Sequence, residues 1–134
     1  VHGDYLLDNL LFRDDPGAEG GCVVTAVDFQ TLSVACGGQD LAYLLGNGSE
    51  PAQRRAHEAR MLRSYREALG KLGVERSAEQ VFDDYVYGSF QGPVVTILGA
   101  LAVGRTERGD AMFMTMARRS CAQIRDLRAL DRLA

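Results

Sequence analysis

The spacing of apolar residues changes along this chain, and the change divides it into two parts. Leu10 to Phe12 and Cys22 to Phe29 are short runs of β-favouring residues on either side of Asp14-Asp15-Pro16-Gly17-Ala18-Glu19-Gly20-Gly21. Runs of that length around a stretch of turn residues predict a β-hairpin with a long, mobile tip. After the loop Ser33 to Gly38, a short helix is expected over Asp40 to Leu45, ending near Gly46-Asn47-Gly48. From there the period becomes helical. Ser49 or Glu50 before Pro51 is a start signal, and Leu62, Tyr65, Leu69 and Leu72 form one stripe that ends near Gly70 to Gly73. Ser77 with Glu79 and Gln80 starts another helix, whose buried face is expected to hold Val81, Phe82, Tyr85, Val86 and Phe90. Gly92-Pro93 should break or kink it. Val94 to Val103 is apolar all round and is therefore expected deep in the helical core. Thr106 can cap a last helix bearing Met112, Phe113, Met116, Ile124 and Leu127. No internal repeat or low-complexity tract is visible.

Composition narrows the class without naming a function. The 134 residues are 46% hydrophobic and 25% charged, enough for one domain with a real core. The formal net charge of −3 gives no basic field for nucleic acid. The charge is unevenly placed. Seven acids up to Ser49 face Arg13 alone, a balance of −6, and the remainder carries +3. Cys22, Cys36 and Cys121 are odd in number and lack metal-ligand spacing, which fits a reduced, cytoplasmic setting. The longest apolar run is too short to span a bilayer, and no signal peptide is visible. The first residue is Val, so the sequence reads as a processed, excised or partial chain.

The acidic part also carries the candidate chemistry. His2-Gly3-Asp4 is followed by Asn9 five residues after the Asp, and the second β-run ends in Asp28-Phe29-Gln30. Phosphoryl transfer needs a carboxylate to orient the attacking hydroxyl and take its proton, and oxygen ligands to hold magnesium on the phosphates. Asp4 is the candidate base, with Asn9 and Asp28 as metal ligands carried on the two strands of one hairpin. His2 is expected to brace the loop, and Asp40 to cap its helix or bond back to the loop. A hydrolytic metal site around His2 and Asp4 lacks a second histidine at ligand spacing, and His57 reads as a surface residue. Tyr87 and Asp84 are candidate substrate contacts. Tyr85 and Phe90 read as core, the Met112, Met114 and Met116 cluster as adaptable packing, and Arg118 and Arg119 as water-facing.

Taken in order, His-Gly-Asp, Asn, Asp-Phe-Gln and the Asp-Leu-Ala-Tyr-Leu-Leu helix resemble the aminoglycoside phosphotransferase and choline kinase families. Within that protein-kinase-like superfamily the resemblance is closest to the ecdysteroid-kinase-like, CHK-type group. The related protein-kinase patterns are His-Arg-Asp with a later Asn, and Asp-Phe-Gly. The resemblance spans His2 to Leu45 and implies an α+β, mostly α fold, the C-terminal lobe of such a kinase. It implies Asp4 as the catalytic Asp, Asn9 and Asp28 as Mg²⁺ ligands, and His2 and Asp40 as supports of the catalytic loop. It also implies ATP as phosphoryl donor and a small hydroxylated substrate as acceptor. The whole chain, 1–134, would be one partial domain, with 1–48 holding the catalytic loop and metal-binding hairpin and 49–134 a helical, substrate-side subdomain. Family members also carry an N-terminal lobe with a phosphate-binding Lys. Here no strand shows an Ala-x-Lys pattern, and Lys71 is the single lysine. That lobe is therefore expected to be absent or supplied by another chain. The alternative is a catalytically inactive truncated lobe that serves as a helical binding or dimerisation module.

Overall fold

A computed structural model describes residues 1–133. Its order is β1 (Leu10–Asp14), β2 (Cys22–Ala26), α1 (Gly38–Gly48), α2 (Pro51–Lys71), α3 (Ala78–Gly88), α4 (Gln91–Ala102) and α5 (Glu107–Asp126). Short 3-10 turns lie at Leu7–Asn9, Glu19–Gly21, Phe29–Thr31 and Ala129–Arg132. The fold is α+β and mostly helical, with one two-stranded antiparallel sheet among the described residues.

The hairpin pairs Leu10 with Ala26 through to Asp14 with Cys22. β2 stops at Ala26, short of the expected Phe29, because Asp28 turns into the left-handed region at φ 62°, ψ 63°. A residue there cannot continue a ladder. Of β1 only Leu10 is buried.

Helix α1 is the axis of the helical body and is longer than its apolar pattern indicated. It buries Leu41, Ala42, Tyr43, Leu45 and Asn47. Leu41, Ala42 and Leu45 meet Tyr85 of α3, with Met61, Leu62, Tyr65 and Leu127 packed around them. The α1–α3 approach is too close for side chains at two positions. A Cβ on Gly38 would lie 2.5 Å from the Asp84 backbone, and one on Gly88 would lie 2.6 Å from Gln39 Cα.

Helix starts follow the sequence signals. Pro51 occupies the first turn of α2. Ser77 and Gln80 form a capping box, each side chain bonding the other's backbone N–H. The Thr106 hydroxyl accepts from Gly109 N–H at 3.0 Å. The break between α3 and α4 falls at Ser89-Phe90, ahead of Gly92-Pro93, so Pro93 sits in the first turn of α4, where proline costs little.

Several burial expectations are corrected. Val94, Ile97, Leu98, Leu101 and Val103 are all more than half exposed, and α4 buries only Gly92 and Thr96. One side of α4 packs on α5 and the other faces outward. Leu72 is exposed beyond the end of α2, and Phe82 lies at the edge of α3 beneath the Arg132 guanidinium. Arg119 does not face water freely, because its guanidinium donates to Glu50 and to the Asn47 carbonyl at 2.8 Å.

The most buried side chain of α2 is Arg54, at 1% exposure. It donates to Glu58 and to Asp126. Glu58 also accepts from the Tyr85 hydroxyl at 2.8 Å. Gln123 donates to Tyr85 Oη at 2.8 Å and to the Ala42 carbonyl at 3.1 Å. This polar network ties α1, α2, α3 and α5 together inside the body. Among the described residues, no helix is long and apolar enough to cross a membrane.

Candidate functional site

The loop His2 to Asn9 is built as a rigid bracket on the first turn of α1. The Asp40 carboxylate reaches back and accepts from His2 N–H at 2.6 Å and from Gly3 N–H at 2.9 Å. The carbonyls are held as well. Thr31 Oγ1 donates to His2 O at 2.8 Å, and the Gln91 amide donates to Gly3 O. Gly3 has φ +86°, and a Cβ there would lie 2.5 Å from Thr31 O. Only glycine fits that corner, a physical reason why this loop reads His-Gly-Asp.

His2 is 5% exposed and packs against Phe29 and Tyr5, with ring centroids at 4.8 and 5.6 Å. Its Nε2 lies 2.9 Å from the Val27 carbonyl, an acceptor only, so Nε2 carries the proton. Nδ1 is then the acceptor that faces Asp4 N–H at 3.4 Å. The ring clamps the loop to the segment that follows β2.

Asp4 is half-buried, and Asn9 comes to it from the start of the hairpin. Asn9 Nδ2 donates to the Asp4 carbonyl at 2.9 Å and to Asp4 Oδ2 at 3.0 Å. Both partners are acceptors, so the amide has one orientation and its Oδ1 points away from Asp4. The Asn9 carbonyl in turn accepts from Val27 N–H at 3.0 Å, which fixes the hairpin entry beside Asp28. Asp28 is exposed, and among the described residues its carboxylate meets only Gln30 Nε2, at 3.5 Å. Among the described residues no three His, Cys, Asp or Glu side chains cluster as a metal site. Asn9 stands just before β1 and Asp28 two residues past the end of β2.

A match to the ecdysteroid kinase-like family covers residues 1–75, more than half of the sequence. The chain belongs to the ecdysteroid kinase-like family. No curated protein and no solved structure matches it. The family is one of kinase-like phosphotransferases, and the matched residues include the bracket, the hairpin, α1 and α2.

Within this ecdysteroid kinase-like chain, the bracket brings together His2, Asp4, Asn9 and Asp40, with Asp28 across the hairpin. Tyr87 and Asp84 make no hydrogen bond to these side chains among the described residues, but Tyr87 shares a groove with Gln91, which holds the Gly3 carbonyl. Tyr87 is 68% exposed and lines a groove of about 410 Å³ with Gln39, Phe90 and Gln91. Asp84 is paired with Arg76, and its carbonyl faces the Cys36 thiol at 3.7 Å. Burial holds that thiol above its usual pKa, which keeps it protonated. A second cavity, of about 420 Å³, lies beside the bracket itself, between Leu6, Leu7 and Asp8 on one side and Met112, Met116 and Arg119 on the other.

Two residues of the site escaped the sequence reading. Gln91 holds the Gly3 carbonyl, and nothing in the local pattern marks it. Tyr43 lies 1% exposed, and its hydroxyl has no hydrogen-bond partner among the described residues. Burial, and then the nearby Asp4 carboxylate, push its pKa up. The available signal was spacing, since Tyr43 follows Asp40 by three residues and shares its face of α1.

Proposed function

We propose that this chain carries the catalytic loop and metal edge of an ATP- and Mg²⁺-dependent phosphotransferase that phosphorylates a hydroxyl on a small molecule. The observation that carries this reading is the single orientation of Asn9. Its nitrogen is used on Asp4, which leaves its oxygen for a cation, as a magnesium-holding asparagine requires. Asn9 Oδ1 and Asp28 would hold the metal, and bound Mg²⁺ would neutralise charge on the ATP phosphates. Asp4, held by Asn9 and by its own backbone, would orient the acceptor hydroxyl and take its proton late in transfer. His2 and Asp40 would keep the loop in register, since positioning supplies most of this catalysis. Residues 1–48 form the nucleotide and metal side, and 49–134 the acceptor side.

For the acceptor, the cavity beside Leu6, Leu7 and Asp8 is the stronger position than the Tyr87 groove. Its wall includes Leu6, Leu7 and Asp8, which follow Asp4 in the loop, whereas the Tyr87 groove, of nearly equal volume, reaches the loop through Gln91. Asp84 is paired with Arg76 through one carboxylate oxygen.

The test is calorimetric titration of Mg·ATP into the purified chain, with Asp28→Ala alongside. Saturable binding that Asp28→Ala abolishes is the expected result. Absence of binding to the unmodified chain, or equal binding by both proteins, removes the metal edge from the reading.

A further inference from the structure

We propose that the Tyr43 hydroxyl is a positioning donor for the Asp4 carboxylate, reaching it from inside the helical core. The proposal rests on the reading of Asp4 as the catalytic base. Its ground is the face of α1 turned to the loop. Asp40, Tyr43 and Asn47 follow one another at helical spacing along that face. Asp40 bonds the backbone of His2 and Gly3. Asn47 lines a cavity with Leu6, Leu7 and Asp8. Tyr43 lies between those two along the helix, level with the loop residues between them, Asp4 and Tyr5, of which Asp4 carries the acceptor.

The hydroxyl is almost wholly enclosed and unpartnered, while buried tyrosine hydroxyls ordinarily find an acceptor. Asp4 is the acidic group whose charge acts on it. The Asp4 carboxylate acts on the hydroxyl both by its charge and as a hydrogen-bond acceptor, although the pair does not meet the geometry of a formed hydrogen bond. Asp4 Oδ2 already accepts from Asn9 at 3.0 Å. With Tyr43 added, the carboxylate is held from the hairpin by a neutral amide and from the core by a neutral phenol. A carboxylate has about four lone-pair positions, so with Asn9 and Tyr43 bound there is still room for the acceptor hydroxyl. Tyr43 moves no proton in this scheme. It fixes the direction in which Asp4 presents its free lone pair.

The decisive measurement is carbon NMR at neutral pH on the chain labelled at tyrosine Cζ. In Asp4→Ala the Tyr43 resonance should move upfield as the carboxylate acceptor is lost, while the Tyr85 resonance, whose partners lie in the Arg54 network, stays in place. Tyr43→Phe keeps the ring and removes only the hydroxyl. In that variant, labelled at aspartate Cγ, the Asp4 carboxyl resonance should move while the fold, read by circular dichroism, is retained. An unmoved Asp4 resonance in folded Tyr43→Phe overturns the proposal, whatever Asp4→Ala does. Neither reading uses nucleotide, so failure of Mg·ATP binding and failure of the Tyr43 contact are seen separately. Where transfer to an acceptor is measured, Tyr43→Phe should lower kcat about tenfold, the rate equivalent of one good hydrogen bond. KM should be unchanged, because the contact is to Asp4 and not to substrate.

Discussion

One amide links the loop to the hairpin. Asn9 Nδ2 bridges the carbonyl and the carboxylate of Asp4 at 2.9 and 3.0 Å, and that bridge is possible only because the group is neutral and can donate. Its replacement by aspartate is the informative change. Judged by magnesium chemistry alone, a carboxylate is the better ligand. Judged by the loop, Asn9→Asp sets a second carboxylate about 3 Å from the first, where like charges repel and no donor remains. The loop argument should win. Asn9→Asp is expected to weaken Mg·ATP binding at pH 7 at least as much as Asn9→Ala, and to partly recover it as the pH is lowered toward 5 and the pair shares a proton. Binding by Asn9→Asp tighter than that of the unmodified chain would mean that the bridge to Asp4 does not govern the site.

At the scale of elements, α2 and α5 are joined mainly by charge. Arg54 and Arg55 meet Asp126, and one turn earlier, at the N-terminus of α2, Arg118 and Arg119 meet Glu50. Burial works to raise Asp126, but the hydrogen bond from Arg55 and the charges of Arg54 and Arg55 outweigh it and hold its pKa below the ordinary 3.8. The hydrogen bond from Arg119 holds Glu50 below its ordinary 4.5. For both groups the folded value lies below the unfolded one. Their contribution is therefore complete above the ordinary values and is lost as pH falls through the folded values. Urea unfolding should show a midpoint to which these groups add no pH dependence near neutrality, with a decline that sets in below about pH 4.5. Asp126→Asn should lower the midpoint at pH 7 and flatten that decline. An equally steep acid loss in Asp126→Asn would assign it to other carboxylates. Sequence reading reached the elements through their ends, because Ser77 with Gln80, Thr106 and Pro51 act locally and need no tertiary context. It did not reach Arg54, because a charged residue among Arg55, His57 and Glu58 on a helix carries no mark of burial. Only the fold supplies its partners, Asp126 being 72 residues away. The bracket was legible in part for the same reason. His2, Asp4, Asn9, Asp28 and Asp40 form an ordered motif, whereas Gln91 reaches Gly3 from 88 residues along the chain.

At the scale of the whole molecule, the apolar content of the chain exceeds what its core takes in. α4 is the clearest case. Its composition pointed inward, yet Ile97 and Leu98 are each 60% exposed and Leu101 is 79% exposed. Hydrophobicity indicates burial in one direction only, since buried residues are mostly apolar but apolar residues are not all buried. What holds α4 is its other side, where Gly92 comes close to Ser120 and Gly99 close to the Phe113 ring, and Thr96 turns its hydroxyl back to Gly92 O at 2.7 Å. The outward residues then add little to folding. The double substitution Ile97→Ser with Leu98→Gln should change unfolding free energy by less than about 1 kcal/mol, the range of surface changes that break no buried contact. It should also reduce the binding of an apolar dye such as ANS, which reports exposed hydrophobic surface. Val86→Ser, the opposite kind of change on α3, removes a side chain that is 1% exposed and should cost about 2–3 kcal/mol. If the α4 pair proved as costly as Val86→Ser, the outward face of α4 would be covered in solution, and the division between core and surface drawn here would have to move to include it.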